Sequence, residues 1–136
     1  MDDKKASPRE TEFVQLLVRR VSEALGISLE EDENLRTSLY LHIHPMAKRV
    51  RYKLSVHNPL LQDIRKEFSE VVEAVSAAVK EQKIFPAFAA ISDDEIAYIA
   101  VYFQAAFEKY AARKRVLLVC SSGVGTSHLL GARVKR

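Results

Sequence analysis

Leu35-Arg36-Thr37-Ser38-Leu39-Tyr40-Leu41-His42-Ile43-His44-Pro45-Met46 decides the fold class. Leu35, Leu39, His42, Met46, Val50 and Leu54 recur at spacings of four, three, four, four and four. That period stacks side chains on one face of an α-helix and does not fit a strand. The acidic run Glu30-Glu31-Asp32-Glu33 just ahead suits the positive end of the helix dipole, and Pro45 inside the run predicts a kink. Arg49 shares the stripe. His42 faces inward with it, and His44, turned by about 200° at about 100° per residue, faces away.

Upstream, Ser7-Pro8-Arg9-Glu10 combines an N-cap serine, a proline at the first helical position and a glutamate that closes a capping box. Phe13, Leu17, Val21 and Ala24 follow at helical spacing, and Gly26 marks a stop. Downstream, Asn58-Pro59 reads as a cap with proline at the first position. Leu61, Ile64, Phe68, Val72, Val75 and Val79 then carry a helix to Lys83, with a break near Ser69. Ile84 to Ile91 is an apolar connection. Ser92-Asp93-Asp94-Glu95 is a second capping box, heading a helix expected to reach Ala112. Ile96, Ile99, Phe103, Phe107 and Tyr110 share one face of it, and Val101 and Ala105 make the other side apolar, so it is expected to be central. Residues 7–112 thus read as an all-α, five-helix bundle.

Residues 113–115 read as a linker, and the remainder changes character. Val116-Leu117-Leu118-Val119 predicts a buried strand, Cys120 to Ser127 a small flexible loop, and His128-Leu129-Leu130 a helix start. Strand, loop and helix N-terminus make an anion cradle of backbone N–H groups from Ser121, Ser122, Gly123, Val124, Gly125 and Thr126. A thiol at its mouth, Cys120, is placed to be a nucleophile. A strand and part of a helix cannot bury their own faces. Residues 116–136 are therefore expected to be a short β-loop-α fragment, the opening of a truncated α/β domain.

Several function classes are disfavoured. The net charge of +3, from 21 bases and 18 acids, is mild. The basic cluster Lys48, Arg49, Arg51 and Lys53 has no aromatic platform and reads as a solvated face rather than a nucleic-acid site. No 18-residue apolar stretch exists for a membrane span. Met1-Asp2-Asp3-Lys4-Lys5 does not open a signal peptide, and a lone cysteine suits a reducing cytoplasm. His42 and His44, two apart, do not face one ion, so no metal or other cofactor is expected; His57 reads as a turn residue. No lysine follows Gly125 as a nucleotide-binding P-loop requires. Thr126 stands where a cysteine phosphatase needs arginine. For His42 two readings stay open: a core histidine with a satisfied ring, or a phosphate acceptor, with Arg49 to bind the added oxygens.

Two segments together resemble a family. Leu41-His42-Ile43-His44-Pro45 with Arg49, Val56-His57-Asn58-Pro59-Leu60-Leu61 and Asp94-Glu95-Ile96-Ala97-Tyr98-Ile99-Ala100 look like the phosphotransferase-system (PTS) regulation domain, or PRD, a five-helix bundle of bacterial antiterminators and activators of sugar operons. Val116 to Ser127 resembles the opening of a galactitol-type enzyme IIB domain. That order is the layout of mannitol- and lichenan-operon activators, in which the PRD beside the IIB-like domain is the second of two. The resemblance implies that His42 and Cys120 are phosphorylated and that Arg49 and residues 121–126 support the phosphate. The donors would be the phosphocarrier HPr or sugar-specific enzyme II components. It implies a cytoplasmic regulator rather than an enzyme, a homodimer, and DNA binding only through domains outside this chain. Tyr102 stands where the family has a second histidine, so a single acceptor is expected in the bundle. The alternatives are a phosphocarrier or phosphatase-like enzyme centred on Cys120, and the PRD of an RNA-binding antiterminator.

Overall fold

The computed structural model describes residues 7–122, with side chains through Val116. Five α-helices follow one another among the described residues: α1 (Pro8–Leu25), α2 (Glu33–Arg51), α3 (Leu61–Glu67), α4 (Ser69–Glu81) and α5 (Asp93–Ser122). A short 3-10 turn (Pro86–Ala90) lies between α4 and α5. The chain divides into two compact units, residues 1–106 and 107–136, and α5 contributes to both. No helix among the described residues is long and apolar enough to cross a membrane.

Local chemistry sets the boundaries. The Ser7 hydroxyl accepts from the Glu10 N–H and the Glu10 carboxylate accepts from the Ser7 N–H, a complete capping box. Gly26 ends α1 in the left-handed region at φ 71°, and the Ile27 N–H bonds back to the Ser22 carbonyl. The buried Ser22 hydroxyl accepts from the Leu29 N–H and ties the following loop to the helix. Asp32 caps α2 by accepting from the Leu35 N–H, and the helix passes through Pro45 without interruption.

In the first unit α1 packs against both α2 and α4. Phe13, Val14, Leu17, Val18 and Val21 from α1 are buried together with Leu39, Ile43 and Met46 from α2, Val75 and Val79 from α4, and Ile99 and Phe103 from α5. Phe13 meets Phe85 and Phe88 edge-on, with ring centroids 5.9 and 5.0 Å apart, closing the end of the bundle over the 3-10 turn.

Several expectations are corrected. The buried face of α2 centres on Ile43 rather than His42, the helix stops at Arg51, and Leu54 is exposed. Ala24 is exposed, while Val14 and Val18 widen the buried stripe of α1. The expected break near Ser69 falls at Phe68 (φ −120°, ψ 39°); it resets the register, so Val71, Ala74 and Ala78 are buried where Val72 was expected. The start of α3 is Leu61 rather than Pro59, because Asn58 is held in a turn, its side-chain oxygen accepting from the Leu60 N–H. Val101 and Ala105 face outward, so α5 is apolar on one side only. The helix also runs through 113–115 and on to Ser122, so Val116 to Val119 is helix and not strand. An isolated strand leaves its backbone donors and acceptors unpaired, whereas continuing the helix satisfies them internally. The expected loop from Gly123 and the helix start at His128 lie outside the described residues.

Lys53 follows α2 at φ 57°, donating to the Val50 carbonyl while the Leu54 N–H bonds the Arg49 carbonyl. A left-handed residue with a Cβ at this position is strained. Lys53→Gly should stabilise the protein by about 1 kcal/mol, read as a higher urea midpoint at unchanged m-value.

Candidate functional site

The N-terminal turn of α5 meets the last turns of α2 around one carboxylate. Glu95 is the residue that the capping-box pattern assigns to the Ser92 backbone. Its own N–H bonds the Ser92 hydroxyl at 3.3 Å, but its side chain turns into the bundle and is only 6% exposed. Arg49 clamps it with two parallel bonds, Nε to Oε2 at 2.8 Å and Nη2 to Oε1 at 2.9 Å. This is the planar fork that guanidinium and carboxylate form best. His42 brings Nε2 to 3.7 Å from Oε1, a distance beyond hydrogen-bond range.

Burial pushes the Glu95 carboxyl up, but His42 and the Arg49 hydrogen bonds and charge pull it down by more, to about 2 against an ordinary 4.5. The bond to Glu95 raises Arg49 above its ordinary value in turn. The pair is thus fully ionised across the physiological range.

His42 itself lies at the edge of the buried face of α2, its side chain 13% exposed. The Nε2 atom is shut from solvent and has no hydrogen-bond partner. Two α5 rings flank it, Tyr98 at 6.1 Å and Tyr102 at 5.5 Å between centroids. The Tyr98 hydroxyl donates to the His57 carbonyl at 3.1 Å. Asn58, buried, donates its N–H to the Asp94 carboxylate at 2.9 Å. The segment before α3 is therefore pinned to the same turn of α5 that carries Glu95.

His44 points elsewhere, as its rotation implies, yet it does not face solvent. Its Nδ1 lies 3.0 Å from Oε1 and 3.3 Å from Oε2 of Glu10. The two histidines of α2 thus meet the glutamates of the two capping boxes, one on α1 and one on α5.

Of the residues singled out in the sequence, His42 and Arg49 come together, and the anion they share is Glu95. Cys120, Ser121 and Ser122 fall in the last turns of α5, where only the backbone is described. Gly123, Val124, Gly125 and Thr126 lie outside the described residues. Sequence reasoning missed Glu95 and Glu10 as site residues. A signal for Glu95 existed: it precedes Ile99 and Phe103 by one and two four-residue steps, which puts it on the buried stripe of α5.

The PRD domain family matches residues 15–106 of this chain. In Bacillus subtilis (strain 168), the transcriptional regulator ManR is 31% identical over 125 residues, an alignment spanning 88% of this chain and 19% of ManR. A probable licABCH operon regulator of the same organism is 30% identical over 125 residues, with the same coverage of 88% and 19%. The chain spans about a fifth of the length of these curated relatives. No solved structure matches it.

Glu95 has a carboxyl lowered by folding, so its contribution to stability is complete above its ordinary 4.5 and is lost as pH falls toward about 2. The loss amounts to about 3 kcal/mol at 1.36 kcal/mol per pH unit. Chemical denaturation followed from pH 6 to pH 2 should show this decline, and Glu95→Gln, destabilised at pH 6, should decline less over the same interval.

Proposed function

This chain belongs to the PRD family, and from that premise we propose that it is the phosphate-accepting regulatory part of a bacterial sugar-operon transcription activator, with His42 as the acceptor. The donors are the phosphocarrier HPr or sugar-specific enzyme II components of the phosphotransferase system. The protein works in the cytoplasm as a homodimer and reaches DNA only through domains outside this chain. Cys120 is a second acceptor on the strength of the sequence resemblance of residues 116–127 to the opening of a IIB-like domain, although Val116 to Ser122 continue α5 here. Kinship with transcriptional regulators favours a regulatory, non-enzymatic role over turnover at Cys120.

One observation carries the reading: the His42 ring stands 3.7 Å from a buried carboxylate that Arg49 holds in a bidentate clamp. A phosphoryl group on that ring adds about −1.5 to −2 charges beside a carboxylate that is already ionised. Across the ring, at about 7 Å and an effective dielectric near 20, each pair of like unit charges costs about 2 kcal/mol. Domain stabilities are only ~5–15 kcal/mol, so the local arrangement does not survive unchanged. Arg49 supplies the exit, because its fork can leave Glu95 for the phosphate oxygens. The first turn of α5 is then released from α2, and with it the Asn58 turn bonded to Asp94. A charge added at one ring thereby biases the contact between two helices. Tyr102, beside His42 and in the position of the family's second histidine, leaves the bundle with one acceptor.

Incubation with HPr carrying a 32P-labelled phosphoryl group should label residues 7–112 of the wild type. His42→Ala should reduce that label to background, whereas His44→Ala should retain it. Undiminished labelling of His42→Ala contradicts the assignment.

A further inference from the structure

Resting on the reading of His42 as acceptor, we infer that the phosphoryl group is carried on Nδ1 of His42 and that Glu95 is the positioning residue that imposes this choice. A neutral imidazole has one protonated nitrogen and one with a free lone pair, and only the latter attacks phosphorus. The Nε2 atom of His42 is closed to an incoming protein, being buried and turned toward Glu95 Oε1. A carboxylate at that nitrogen favours the tautomer with the proton on Nε2 and leaves the lone pair on Nδ1. The exposed part of the side chain therefore does not include Nε2, and Nδ1 is the nitrogen a donor meets. The same test explains why His44 is not an acceptor: Glu10 holds its Nδ1 and its Nε2 is buried.

The step balances without another reactant. The Nδ1 lone pair of His42 forms the new N–P bond while the N–P bond of the donor phosphohistidine breaks; the donor ring, already protonated on its other nitrogen, takes back the electron pair and leaves as neutral imidazole. The proton on His42 Nε2 stays in place. The ring becomes an imidazolium during transfer, and Glu95 faces that developing positive charge. Arg49 fixes both carboxylate oxygens, so Glu95 holds its orientation toward Nε2 instead of rotating to solvent. Tyr98 and Tyr102 limit the ring's freedom from the α5 side.

The full chain is phosphorylated with phospho-HPr, and the isomer is assigned by 15N–31P correlation or by antibodies that distinguish Nδ1- from Nε2-phosphohistidine. The expected product is the Nδ1 isomer. Glu95→Gln, which keeps the side-chain shape without the charge, should slow the initial labelling rate about tenfold or more, as loss of an orienting carboxylate does elsewhere, and should yield a mixture of isomers. Wild-type label on Nε2 overturns the inference whatever the variant does, as does an unchanged rate and isomer ratio in a folded Glu95→Gln. Absence of label from His42 overturns the proposed function and this inference with it, whereas label on His42 at Nε2 overturns this inference alone.

Discussion

A buried negative charge needs a partner, and the Glu95 carboxylate has its own in Arg49, with His42 close by. Removing a carboxylate from water costs several kcal/mol unless its oxygens are satisfied. Here the bidentate guanidinium recovers that cost and holds the carboxyl at about 2. The arrangement fastens the start of α5 to the end of α2. The neighbouring Asp94 fastens the turn before α3, and Tyr98 reaches the His57 carbonyl. Two separate stretches of chain, the end of α2 and the turn before α3, thus converge on the start of α5, with the His42 imidazole at its edge.

The two ends of α2's His-x-His pair show how one helix serves two neighbours. His44 leans on Glu10, which still closes the capping box of α1, so that glutamate serves a helix end and a helix contact together. Glu95 gives up its capping role and serves the contact only. The Glu10 carboxylate meets His44 Nδ1 at 3.0 Å, within hydrogen-bond range, whereas the Glu95 carboxylate faces His42 Nε2 at 3.7 Å.

Much of the fold was legible because periodicity and caps are local. The Ser7 box, the Gly26 stop, the acidic front of α2 at residues 30–33 and the break beside Ser69 all follow from residues within a turn or two of one another. The inward face of α2 was misplaced by one residue, since a stripe drawn through His42 and a stripe drawn through Ile43 share Leu35, Leu39 and Met46. The strand expected at Val116 to Val119 failed for a different reason. Val116 to Val119 is apolar and β-branched at both ends, a pattern that suits a strand, but strand formation needs a pairing partner and helix continuation does not. At the site, His42 and Arg49 were found from their shared face. Glu95 was hidden because a serine three residues upstream gave it a sufficient local role.

Amide hydrogen exchange across the first turns of α5, compared before and after phosphorylation of His42, tests the central claim most directly. Faster exchange is expected at Ala97 to Ala100 in the phosphorylated protein, with residues in the middle of α1 unchanged, because the added charge loosens the Glu95 clamp without unfolding the bundle. Stoichiometric phosphate on His42 with unaltered exchange at those amides would contradict it.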